Sequence, residues 1–142
     1  MKQLTIIVLL MFTFFAANAK NLHQHEPASE KLALNNGSKW KIDEPTRNNV
    51  INLQQIVKAA NGQTHRSLKD YHNTGFILQT VITKMIKECR MKGPDHLALH
   101  KWLEPLMEQV IQINRATNVA SAKKCFDEIK NRLTIFDQYF GV

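Results

Sequence analysis

Residues 85–102 read MIKECRMKGPDHLALHKW, and this stretch decides the predicted fold. Apolar residues recur at helical spacing on both sides of it, and Gly93 and Pro94 interrupt the recurrence in the middle. Glycine commonly ends a helix and proline suits the first turn of the next one. The stretch therefore predicts two helices joined by a tight corner.

The same apolar spacing extends outward from the corner in both directions. Stripes that step by three and four residues predict four helices of similar length with short connections. Such a pattern predicts an all-α protein, an antiparallel four-helix up-down-up-down bundle. The predicted helices begin near Asp43, Ser67, Gly93 and Asn118.

A short β-hairpin is predicted before the first helix. Apolar and polar residues alternate over residues 32–34 and again over residues 40–42. Residues 35–37, Asn-Asn-Gly, are typical of a tight turn with positive φ. We therefore expect residues 31–142 to form a single helical-bundle domain with an N-terminal hairpin.

Residues 1–19 predict a signal peptide. Lys2 gives a charged start, an apolar run follows, and Ala-Asn-Ala at residues 17–19 fits a cleavage site. We expect residues 20–30 to form a flexible tail, since they carry no apolar periodicity. The mature chain is then periplasmic or secreted and keeps no transmembrane segment.

Signal removal takes away Lys2 and lowers the net charge from +7 to +6. A basic chain of this kind can bind anionic lipid headgroups or acidic proteins, but no motif indicates a nucleic-acid partner. One alternative function is therefore a secreted effector whose basic corner binds such anions. The side chains for this alternative are Lys84, Lys87, Arg90, Lys92 and Lys101.

The corner also concentrates donors for a soft or borderline metal ion. A thiol, two thioethers and two imidazoles fall within sixteen residues, a set that suits copper(I) first, with copper(II) or zinc behind it. The same residues also fit an ordinary core, in which Asp95 or the turn backbone would hydrogen-bond to a buried histidine. The predicted metal ligands are Cys89, Met91 and His96, completed by His100 or Met85.

The two cysteines test this interpretation. Two cysteines in an exported chain normally predict a disulfide. In the predicted bundle, however, Cys89 and Cys125 lie roughly 20 Å apart along the helix axes, whereas a disulfide needs Cα atoms within about 7 Å. Both thiols are therefore expected to be free, and metal ligation is one reason to keep Cys89 free.

Two further classes of function follow from the residues. A four-helix bundle can hold a non-covalent haem b between Met and His ligands, and covalent haem is excluded because no C-x-x-C-H motif occurs. Cys89 and His96 form a conceivable thiol–imidazole pair, but no orienting third group or oxyanion site is predicted beside them. We expect a non-enzymatic protein.

Part of the chain resembles a known group of proteins. The similarity covers residues 34–40 and the corner motif C-x-M-K-G-x-x-H-x-x-L-H-x-W-L, which begins at Cys89, and it is weaker over the first and fourth helices. The group consists of small exported bacterial helical bundles, poorly characterised and associated with heavy-metal handling. The resemblance implies a helical fold and a role with metals.

Overall fold

The computed structural model describes residues 31–141, which are mainly helical. The helices are α1 (Glu44–Asn61), α2 (Leu68–Glu88), α3 (Gly93–Arg115), α4 (Val119–Thr134) and the short α5 (Phe136–Tyr139). Two short strands, β1 (Trp40–Lys41) and β2 (Phe140–Gly141), flank the helices. All four predicted long helices are confirmed. The predicted signal peptide and tail lie outside the described residues.

Capping explains where the long helices begin. The side chains of Asp43, Ser67 and Asn118 each accept a hydrogen bond from a backbone amide of the first helical turn. Helix α3 has no such side-chain cap and begins instead with Gly93, at φ +65°, followed by Pro94. Glycine adopts this left-handed conformation without a Cβ clash, so the Gly-Pro pair makes the sharp corner.

Each long helix contacts the next one along the chain, and α4 also contacts α1 and α2. Asn49, early in α1, donates through Nδ2 to Glu88 Oε2 at the end of α2 (2.8 Å). Trp102, in the first half of α3, donates through Nε1 to the carbonyl of Arg132, late in α4 (3.0 Å). These two hydrogen bonds tie α1 to the end of α2 and α3 to the end of α4.

Aromatic residues close the end of the core that contains Trp102. The Trp102 side chain is fully buried, and its ring centroid lies 4.6 Å from that of Phe136, which stacks in turn on Phe140 at 4.6 Å. The apolar helical spacing of the fourth helix continues in the sequence to Phe140, but α4 ends at Thr134. Both phenylalanines are nevertheless buried, because α5 and β2 fold back onto the core.

The predicted turn at residues 35–37 is present. Asn35 and Ser38 exchange two backbone hydrogen bonds of 2.8 and 2.9 Å. Asn36 and Gly37 between them have φ values of +50° and +86°, as the Asn-Gly turn requires.

The prediction that the strands on either side of this turn pair with each other as a hairpin is wrong. Strand β1 pairs in parallel with β2 at the C-terminal end, so that Trp40 lies opposite Phe140. Pairing within the predicted hairpin would have joined β1 to the segment around Leu34. The Leu34 side chain is instead 42% exposed. Pairing with β2 is favoured because it adds to a buried aromatic core, whereas an isolated two-stranded hairpin is marginal in water.

Candidate functional site

Two carboxylates anchor the α2–α3 corner to the segment that precedes α1. Asp43 Oδ2 accepts from the Arg90 amide (2.7 Å), and Asp95 Oδ1 accepts from the Lys41 amide (3.0 Å). Burial acts to raise the pKa of Asp43, but hydrogen bonds from Thr46 and Arg90 outweigh it and hold this pKa below its ordinary value. Asp95, one candidate partner for His96 in the sequence, therefore serves the β1 backbone.

A cavity of about 270 Å³ lies between the end of α2 and the first half of α3. Aliphatic side chains, among them Leu99 and Leu103, form much of its wall. Sulfur, imidazole and carboxylate groups occupy the rest. The lining residues with donor atoms are Met85, Cys89, His96, His100, Glu104 and Met107.

Four of the five predicted metal ligands share this cavity: Met85, Cys89, His96 and His100. Met91 does not line the cavity; it is half-buried and packs against the hydrophobic core. Cys89 lies just beyond the last residue of α2, as its C-cap, and is also half-buried. The corner therefore brings four of the five predicted donors to one cavity, whereas Met91 contributes to the packing of the core.

Sequence reasoning missed two lining residues, Glu104 and Met107. Both follow His96 on α3 at intervals of eight and eleven residues, which a helix of 3.6 residues per turn places on about the same face. This spacing was readable from the sequence once His96 was taken as a reference. Residue type alone does not single out Glu104 or Met107, because a Glu or Met one or two helical turns beyond His100 is not part of a recognisable motif.

The two histidines form the best-defined part of the site. The ring centroids of His96 and His100 lie 4.7 Å apart, with the ring planes inclined by 61°. Two imidazoles bound to one tetrahedral ion, at metal–nitrogen distances of about 2.0 Å, would place their centroids roughly 5 Å apart. The observed centroid spacing is close to this value and is therefore compatible with both rings binding one ion.

Glu104 contacts one of these rings. Its Oε1 lies 3.4 Å from His100 Nδ1, one helical turn away. A carboxylate at Nδ1 favours the tautomer that carries its proton there and leaves Nε2 as the nitrogen able to bind a ligand. The side chains of His100 and Glu104 are 50% and 70% exposed, so this part of the cavity faces solvent.

Within residues 31–141, the two histidines are not joined by a third His, Cys, Asp or Glu side chain at a distance that would let all three bind one ion. Across residues 31–141, no three His, Cys, Asp or Glu side chains are grouped closely enough to hold a metal ion. The assembled part of the site is thus the histidine pair, and any further ligand has to come from a side-chain movement or from a thioether. That excludes a preformed three-ligand zinc site among these residue types in the described part of the chain.

The prediction that the two cysteines are not bridged is confirmed, since both Cys89 and Cys125 are free. Cys125 is buried on α4, and burial raises the pKa of its thiol, with a smaller contribution from the charge of Glu128. A raised pKa disfavours the thiolate that binds metals and attacks electrophiles. Of these two cysteines, only Cys89 lines the cavity.

Three of the five basic side chains of the alternative function share a groove of about 550 Å³ between α1 and α2: Lys84, Lys87 and Arg90. Glu44 and Glu88 line the same groove, and Lys84 Nζ is 3.9 Å from a Glu88 oxygen, so acidic groups offset part of its positive charge. Lys101 lines a different cavity, beside Pro94.

Comparison with protein-family models, with curated proteins and with solved structures found no match to this chain. Within residues 31–141, no helix is both long and apolar enough to cross a membrane. The residues around the cavity are therefore the features of this chain that indicate a function.

Proposed function

We propose that this protein is a non-enzymatic metal-binding protein that holds copper(I) in the cavity between α2 and α3. One observation carries the proposal: two imidazoles 4.7 Å apart share a cavity with a thiol and two thioethers. Imidazole together with soft sulfur is the donor set that favours copper(I). His96 and His100 are the first ligands, and Cys89 is the third.

The other donors of the cavity favour a soft ion. The thioethers of Met85 and Met107 line the cavity together with the Cys89 thiol, and thioether and thiolate sulfur prefer copper(I) to harder ions. Zinc and copper(II) are therefore the less favoured ions.

Helix direction explains why these donors meet. We infer that α1 to α4 run antiparallel in an up-down-up-down bundle, because hydrogen bonds join the early part of α1 to the end of α2, and the first half of α3 to the last part of α4. This arrangement places Cys89, at the end of α2, beside the first turns of α3. Cys89 is then the thiol of the cavity from which a third ligand can come.

An exported location is part of the proposal. Residues 1–19 have the pattern of a signal peptide, which favours a periplasmic or secreted protein. The corner motif that begins at Cys89 resembles exported bacterial proteins associated with heavy-metal handling, and this supports the same function.

The other candidates receive less support. A volume of about 270 Å³ is below the roughly 300–1,000 Å³ of pockets that enclose drug-sized ligands, which disfavours haem b. The anion-binding alternative loses support because only three of its five basic residues share one groove, which also contains Glu44 and Glu88, and Lys101 lines another cavity.

The test is a competition titration of the untagged mature protein with copper(I), under anaerobic and reducing conditions, against a chromophoric chelator. We expect one ion per chain and an affinity that changes little between low and high salt, because ligation is not screened as exposed charge interactions are. Binding of less than one equivalent, or binding that disappears at high salt, would contradict the proposal.

A further inference from the structure

We propose that Glu104 is a positioning residue of this site: it holds the His100 ring as the Nδ1–H tautomer, so that Nε2 is presented to the ion. The inference rests on the proposed copper function and deepens it by assigning a role to a residue that is not itself a ligand. The observation behind it is the approach of Glu104 Oε1 to His100 Nδ1, at 3.4 Å.

The chemistry of a neutral imidazole makes this contact consequential. Such a ring carries its proton on one nitrogen only, and a metal ion can bind only the other nitrogen. In water the proton exchanges between Nδ1 and Nε2. A ring without a hydrogen-bond partner therefore spends part of its time with the proton on Nε2, where it prevents that nitrogen from binding an ion. A carboxylate that accepts from Nδ1–H removes that loss.

The surroundings restrict the ring from a second side. The His96 ring packs edge-on against the His100 ring, and both histidines line the cavity together with Glu104. The Glu104 carboxylate lies 3.4 Å from Nδ1 of His100, and the His96 ring packs against the same imidazole from another side. On the proposed role, Glu104 accepts from Nδ1–H and so orders the ring before an ion binds, which lowers the ordering cost of binding.

Glu108 provides a matched control on the same helix. It lies one turn beyond Glu104, accepts a hydrogen bond from Gln112 Nε2 (2.9 Å), and does not line the cavity. Replacing either glutamate with alanine removes one negative charge from the same helix. A difference between the two variants therefore reports the contact with His100 and not the general electrostatic attraction of the protein for a cation.

The first measurement uses the metal-free protein. Nitrogen-15 NMR of the imidazole side chains, at a pH where the His100 ring is neutral, should show Nδ1 protonated in the wild type and in E108A. In E104A the His100 nitrogens should shift towards the values of a tautomer mixture. A His100 ring that is protonated at Nε2 in the wild type, or that is unchanged in E104A, overturns the inference whether or not copper binds.

The second measurement repeats the copper(I) competition titration. We expect E104A to lower the affinity by about 10- to 100-fold, the usual effect of losing a partner behind a histidine ligand, and E108A to match the wild type. Equal losses in E104A and E108A, or no loss in either, would overturn the positioning role alone. A wild type that binds no copper would instead overturn the proposed function, and the NMR result would show whether the tautomer assignment survives.

Discussion

The double variant His96→Ala/His100→Ala is expected to lower the affinity for copper(I) by at least about 100-fold. Loss of a residue that merely supports a ligand already costs about 10- to 100-fold, and here both assembled nitrogen donors are removed. Cys89 and the thioethers remain, but across residues 31–141 no three His, Cys, Asp or Glu side chains are grouped to replace the histidine pair. The copper(I) competition titration measures the loss directly.

Met91→Leu is the control for this prediction. Met91 lies in the corner between the two helices and was a predicted ligand, yet it does not line the cavity. Leucine has a similar volume, so the substitution should preserve packing, and we expect wild-type affinity. A large loss in Met91→Leu with little loss in the double histidine variant would show that the site lies elsewhere in the corner.

The second large effect concerns the contact between α2 and α3. Gly75→Ala is expected to lower the free energy of unfolding by about 2 kcal/mol, as overpacking of a core typically does. A Cβ at Gly75 would lie only 2.7 Å from Ile113 Cγ2 and still closer to the side-chain oxygen of Asn114. The helix preference of alanine over glycine, about 1 kcal/mol, is too small to reverse the sign.

Gly62→Ala supplies the comparison, because this glycine is at the end of α1 with helical φ and ψ. A Cβ there would meet its nearest neighbour, a carbonyl oxygen of Ala59, at an ordinary 3.5 Å. Alanine should be tolerated or should stabilise the protein by about 0.4–1 kcal/mol. Urea unfolding of both variants measures the difference, and a Gly75→Ala protein as stable as Gly62→Ala would refute the close approach of the two helices.

The starts of three long helices were predictable because their causes are local. Asp43, Ser67 and Asn118 cap the helices that follow them, and each can be recognised from a few neighbouring residues. The free state of the two cysteines followed from the same helices. The pairing partner of β1 was not predictable in this way. Trp40 pairs with Phe140, which lies about a hundred residues further along the chain, whereas the sequence favours pairing with the nearby segment around Leu34.

The candidate site was predictable in part for the same reason. His96 and His100 share a helix face, so their proximity follows from helical spacing alone. The exclusion of Met91 depends on the path of the corner, and the role of Glu104 depends on a side-chain contact of 3.4 Å. Neither can be read from residue type, since a glutamate one turn from a histidine is usually no more than a surface ion pair.

X-ray absorption spectroscopy of the copper(I)-loaded protein tests the central claim most directly, because it identifies the atoms bound to the ion. We expect two histidine nitrogens at about 2.0 Å and at least one sulfur at about 2.3 Å. A spectrum without histidine scattering, or with nitrogen and oxygen neighbours and no sulfur, would contradict a copper(I) site formed by His96, His100 and the cavity sulfurs.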